Sequence, residues 1–154
     1  MEDNLFLRTY QKLIGQKITQ SPSKAGNWLE GTLLEANYGN LTMEYEVREE
    51  MCNPGHILHG GMASLMLDDV IGAANYIIGS EFLMTSINLN VDFISSAKVG
   101  EKLRVNAELV RKGRNVNNWK AEILNSDGKI VATASSNLIT TQVRISDLGR
   151  GSSQ

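Results

Sequence analysis

"NPGHILHGGMASLMLDDVIGAANYIIGSEF", residues 53–82, decides the fold, because no other stretch of the chain has a helical hydrophobic period of this length. From Gly60 to Ile78 the apolar residues, among them Ala63, Leu67, Val70, Ile71 and Ala74, cover most of a helix circumference. The spacing predicts one long helix over 60–78, buried on most sides, with Gly79 ending it as a left-handed cap. Two adjacent carboxylates, Asp68 and Asp69, interrupt this run, and charges are rarely buried without a partner or a task. Offsets of three and four put Gly61, Ser64, Asp68, Gly72, Asn75 and Gly79 on one small or polar stripe, a seam that another chain or a ligand can approach closely. Asp69 falls instead among Met62, Leu65 or Met66, Ala73 and Tyr76, an apolar neighbourhood that suits a structural role.

The segments on either side read as strands. Leu41–Val47, Ser86–Phe93 and Leu103–Leu109 alternate apolar and polar residues without a break, the pattern of a strand with one dry face. Trp28–Glu35, Trp119–Leu124 and Lys129–Thr140 add three more, with "ANYGN" and Asp127-Gly128 as hairpin turns. Residues 4–14 have helical spacing, and 20–27 read as a loop. About six strands and one buried helix predict an α+β fold, a curved antiparallel sheet wrapped around a long central helix. Residues 1–145 form the expected single domain, 1–27 being its N-terminal helix and loop, and 146–154 the expected flexible tail.

Composition narrows the partners. The 154 residues hold 15 basic and 17 acidic side chains, a net charge of −2 that gives no drive toward nucleic acid or anionic membranes. Cys52 is the single cysteine, so no internal disulfide forms and a reducing, cytoplasmic setting is expected. Charges break the apolar run before it reaches membrane-spanning length. Cys52, His56 and His59 give a C-x3-H-x2-H spacing, but no fourth ligand accompanies it, and no metal is expected.

His59-Gly60-Gly61 places bare backbone N–H groups at the start of the helix, where they can polarise a carbonyl or hold a developing oxyanion. The pattern Asn53-x5-His59-Gly60-Gly61-x6-Asp68, followed by Ser86, "AKVGEKL" (97–103) and "VRKGRN" (110–115), resembles the hotdog-fold thioesterases of the phenylacetate-pathway, PaaI-like type. The resemblance spans roughly Leu41–Thr140. It implies a hotdog fold, pairing into homodimers and often tetramers, and an acyl-CoA substrate in which CoA needs no separate cofactor. It carries the catalytic carboxylate onto Asp68, the helix-terminal oxyanion donor onto Gly60, the polar loop residue onto Asn53 and the hydroxyl partner of the attacking water onto Ser86, with Thr85 as a neighbour able to compete. Asp69 is not part of that motif.

Asp68 then acts either as general base on water or as nucleophile. Asn53 bonds the substrate carbonyl or the His59 side chain, and His59 braces the glycine loop. Gly61 and the turn Arg111-Lys112-Gly113-Arg114 are further expected substrate contacts, the turn through CoA phosphates. Tyr76, Met62 and Leu65 are candidates for shaping the acyl pocket. Eight residues separate Gly60 from Asp68, about 12 Å along a helix, so one thioester carbonyl cannot meet both. The donor and the carboxylate must come from different subunits, with two central helices running antiparallel. Two alternatives use the same fold: a non-catalytic acyl-CoA sensor and an acyl-CoA hydratase or dehydratase.

Overall fold

Alternation along the strands and helical spacing in the central run resolve into one sheet and one dominant helix. In the computed structural model, which describes residues 3–148, the chain forms α1 (Leu5–Gln11), α2 (Lys24–Leu29), β1 (Thr32–Asn37), β2 (Asn40–Glu46), α3 (Gly60–Ile77), β3 (Phe82–Phe93), β4 (Lys102–Lys112), β5 (Val116–Leu124) and β6 (Ile130–Arg144). All neighbouring strands are antiparallel, in the order β1-β2-β4-β5-β6-β3. The curved sheet holds α3 against one face, the hotdog arrangement expected from the sequence. Between β2 and β3 the chain crosses that face as α3, which is why consecutive strands lie far apart in the sheet.

The buried stripe of α3 is Ala63, Met66, Leu67, Val70, Ile71, Ala74 and Ile77, each at most 3% exposed. Their offsets of three and four residues place them on one face, and each large aliphatic side chain there contributes about 1.5–3 kcal/mol by leaving water. Facing them are Leu33, Leu41, Tyr45, Leu103, Val105, Trp119 and Ile123 from the sheet. Both ends of α3 are capped by side chains distant from its interior. His59 is the N-cap; at the other end Asn4 donates from Nδ2 to Ile77 O at 3.0 Å while its Oδ1 caps α1 by accepting from Leu7 N. Gly79 follows with φ +80°, the left-handed residue expected there.

The segment before β1 departs from the sequence reading. Residues 24–29 are helical where 20–27 read as loop and Trp28 as the start of a strand. Ser23 caps this turn, its Oγ accepting from Gly26 N at 3.0 Å, and Leu29, 1% exposed, anchors it in the core. Glu30 then takes a left-handed φ of +54° and ends the helix. The strand therefore begins four residues later than the apolar pattern suggested.

The two sheet edges differ. Along β1, residues 15–18 bond to the outer backbone through Gly15 N to Leu33 O and Leu33 N to Gln16 O. β3, at the opposite edge, carries exposed Ile87 and Phe93 at 57% and 59%. A long uncovered edge of this kind invites pairing with another strand. Among the described residues no helix is long and apolar enough to cross a membrane. Residues 149–154 of the expected tail lie outside the described residues.

Candidate active site

The N-terminus of α3 is built by His59. Its ring Nδ1 accepts from Gly61 N at 2.8 Å, and its carbonyl accepts from Met62 N and Ala63 N. Of the first four helical N–H groups only that of Gly60 finds no acceptor among the described residues. A free N–H at the positive end of an 18-residue helix is a ready oxyanion donor. The His59 bond also fixes its tautomer, because a ring nitrogen that accepts is unprotonated. Gly60 lines a cavity of about 310 Å³ together with Ile57, Leu58, Phe93 and Ser95. The Phe93 ring lies across Gly60, so a Cβ there would come within 3.1 Å of Phe93 Cζ.

Asp68 lies two turns further along α3 and lines a different cavity of about 430 Å³. Ser86 Oγ, from β3, donates to Asp68 Oδ1 at 3.1 Å. No described residue bonds its Oδ2. Thr85 also lines this cavity but makes no bond to Asp68, so of the two neighbouring hydroxyls only Ser86 meets the carboxylate. Gly72, one turn beyond Asp68, is exposed with nothing within 4 Å of where a Cβ would stand. The small-residue stripe is thus open along Gly61, Ser64, Asp68 and Gly72. Asn75 leaves it: 4% exposed, it points into the core and accepts at Oδ1 from Asn117 Nδ2 at 2.9 Å and Trp119 Nε1 at 3.1 Å.

Asn53 braces its loop through Oδ1, which accepts from Gly55 N at 2.9 Å and Ile57 N at 3.4 Å; it does not bond to His59, and its Nδ2 meets no acceptor among the described residues. Gly61 has spent its N–H on His59. Arg111, Lys112, Gly113 and Arg114 lie at the β4–β5 turn and line neither cavity. Lys112 is occupied locally, donating to Tyr38 Oη at 3.0 Å. Tyr76 lines the Asp68 cavity, whereas Met62 and Leu65 line neither. Among the described residues no three His, Cys, Asp or Glu side chains are grouped to hold a metal ion. Cys52 Sγ instead donates to Arg48 O, and His59 Nδ1 is taken by Gly61.

The sequence reading missed the wall that the N-terminal segment adds to the Asp68 cavity. Tyr10, Ile18 and Ser21–Ser23 close it from above α3. Asp69 faces this wall, Oδ1 accepting from Ser23 Oγ at 2.6 Å. Burial pushes its carboxyl above the ordinary value, with the Ser23 bond pulling down and the Asp68 charge adding a further push up. A helix-capping serine is visible as a local signal at Ser23, but nothing local shows that it meets a residue 46 positions away.

The chain is similar in sequence and fold to known proteins. Residues 55–132 match the Thioesterase superfamily, a span containing His59, Gly60, Asp68 and Ser86. Human acyl-coenzyme A thioesterase 13 is 28% identical over 102 residues, which are 66% of this chain and 73% of the relative. The crystal structure of a phenylacetic acid degradation-related protein from Ralstonia eutropha JMP134 is 33% identical with a TM-score of 0.74, covering 89% of this chain and 100% of that one. A Streptococcus mutans UA159 protein bound to acetyl CoA shares the fold at 21% identity and a TM-score of 0.70, covering 74% and 90% of the two chains.

Proposed function

The chain belongs to the Thioesterase superfamily and is a thioester hydrolase, and from that premise we propose that it hydrolyses acyl-CoA in a site shared by two copies of the chain. The observation that carries the reading is the Asp68 carboxylate held by Ser86 at a cavity large enough for an acyl group. The activity of the human relative and the acetyl CoA held by the Streptococcus protein support CoA as the leaving group.

The thioester carbon sits within about 3–3.5 Å of a water that Asp68 Oδ2 accepts from. As the water attacks, Asp68 takes its proton and the carbonyl electrons move onto oxygen. The Gly60 N–H and the positive end of α3 stabilise that oxyanion. Collapse breaks the C–S bond, and the proton passes from Asp68 to the departing thiolate, giving the carboxylic acid and free CoA. Ser86 holds the carboxylate in place throughout.

One chain does not bring the donor and the carboxylate to one carbonyl, since the two line separate cavities. The open β3 edge supports the shared site: two copies paired there about a two-fold axis would run their α3 helices antiparallel with the small-residue stripes facing, and bring Gly60 of one copy to Asp68 of the other. The cationic turn at Arg111, Lys112 and Arg114 would then meet CoA phosphates as an exposed anion site. Release of free CoA from a panel of aromatic and straight-chain acyl-CoAs tests the reading. Turnover by the native protein that Asp68→Asn abolishes is expected; equal turnover by the variant contradicts the role given to Asp68.

A further inference from the structure

The cavity that opens at Asp68 contains a second carboxylate that hydrolysis does not need. Asp69 is next in sequence, about 100° further round α3, and lines the same cavity toward α2. Its Oδ1 is held by Ser23, while no described residue donates to its Oδ2. A Cβ at Gly26 would come within 2.5 Å of that Oδ2, so α2 packs directly against the carboxylate and fixes it.

The groups around it are equally short of partners. Tyr10 lines the cavity with a hydroxyl that makes no hydrogen bond among the described residues. Its phenol is pushed up to about 12 by burial, then by Tyr76 and the Asp69 charge. Behind this wall Tyr45, 1% exposed, has a buried hydroxyl with no partner among the described residues, and it too feels Asp69 and Tyr10. The remaining wall is largely apolar, with Ile18, Met43, Ala73 and Leu138, and among the described residues no Lys, Arg or His lines the cavity. An acceptor held rigidly in an apolar wall with no cation beside it is complementary to a donor brought in by the ligand.

We propose that Asp69, held by Ser23, reads the far end of the acyl group and selects acyl chains that carry a hydrogen-bond donor there, a hydroxyl or an ammonium, while rejecting chains that end in a carboxylate. This rests on the acyl-CoA reading above and adds the substrate class. Discrimination follows from the penalty of leaving Asp69 unpaired beside a methyl group, and from like-charge repulsion beside a carboxylate. The hydroxyl and ammonium differ in one respect: an amide in place of Asp69 still accepts from a hydroxyl but no longer attracts a cation.

The test measures kcat/KM for straight-chain acyl-CoAs of four, six and eight carbons, each ending in methyl, hydroxyl, amine or carboxylate. The native protein is expected to favour hydroxyl or amine over methyl by about tenfold or more at one chain length, with carboxylate poorest. Asp69→Asn removes the preference for amine and keeps part of that for hydroxyl; Asp69→Leu inverts the order toward methyl. Ser23→Ala, which leaves the carboxylate in place but frees it to move, weakens the preference without inverting it. Activity with equal rates across the four ends, or preferences for amine and hydroxyl over methyl that Asp69→Asn and Asp69→Leu both leave unchanged, overturns this proposal alone. Absence of CoA release from every thioester overturns the acyl-CoA reading and this proposal with it.

Discussion

Replacing Gly60 by proline removes one N–H and leaves the fold in place. Gly60 is the first helical residue of α3, where proline's missing N–H costs no intrahelical bond and its fixed φ suits the helix. The residue before it, His59, already has φ −65° and ψ 135°, the extended backbone that proline demands of its predecessor. The new side chain meets Phe93 at 3.1 Å and 3.2 Å, and that ring, 59% exposed, has room to move aside. Gly60→Ala brings the same Cβ and keeps the N–H, so the pair of variants separates crowding from loss of the donor. Loss of one oxyanion donor lowers kcat roughly 10²–10³-fold, or about 2.7–4 kcal/mol. Steady-state release of CoA, with thermal unfolding of both variants as the control, is the assay. Gly60→Pro is expected to fall by that factor below Gly60→Ala at a similar Tm. Equal kcat values in two folded variants would refute the donor role.

Three further outcomes follow from the same geometry. Asn75→Leu leaves Trp119 Nε1 buried without an acceptor and Asn117 Nδ2 with only the Met84 thioether at 3.2 Å, so urea unfolding should lose about 1–3 kcal/mol for the stranded indole N–H; an unchanged midpoint contradicts the network. Ser86→Ala removes the one hydrogen bond that orients the Asp68 carboxylate, and misplacing a catalytic group lowers turnover, so kcat should fall by about tenfold or more while the exposed bond's loss moves Tm little; unchanged kcat removes Ser86 from the site. Asp69 has a folded pKa raised above 3.8 by burial, so the folded state binds its proton more tightly and stability falls as pH rises through that window. Asp69→Asn should therefore gain Tm over the native protein at neutral pH, a gain that shrinks on acidification toward pH 3.8; a gain that grows on acidification contradicts the sign.

The helix and strands were legible because their burial is one-sided and periodic. The run at 60–78 differs from α3 by one residue, and Gly79 marked its end, since a left-handed cap is a local requirement. Between Gln20 and Gly31, ahead of the strand that does form from Thr32, the same reasoning failed. There a serine cap and one anchored leucine outweigh the strand propensity of Trp28 and Leu29, and an apolar pair alone does not distinguish a short helix from a strand. The Ser86–Asp68 contact was accessible only through the family motif, because hydrogen bonds across 18 residues leave no periodic trace. Asn75 was misplaced for a related reason: helical offsets give direction but not which directions are covered, and Trp119 covers that one. Ser23 and Asp69 meet only because α2 folds back over α3.

The central claim is that the carboxylate and the oxyanion donor come from different copies of the chain. Mixing Asp68→Asn with Gly60→Pro subunits, allowing exchange, and measuring CoA release tests it most directly. Half of the randomly formed dimers are hybrids, and each hybrid holds one site with neither substitution, so the mixture should recover about a quarter of native activity from two nearly inactive proteins. A mixture no more active than its separate components, with subunit exchange verified, would contradict the shared site.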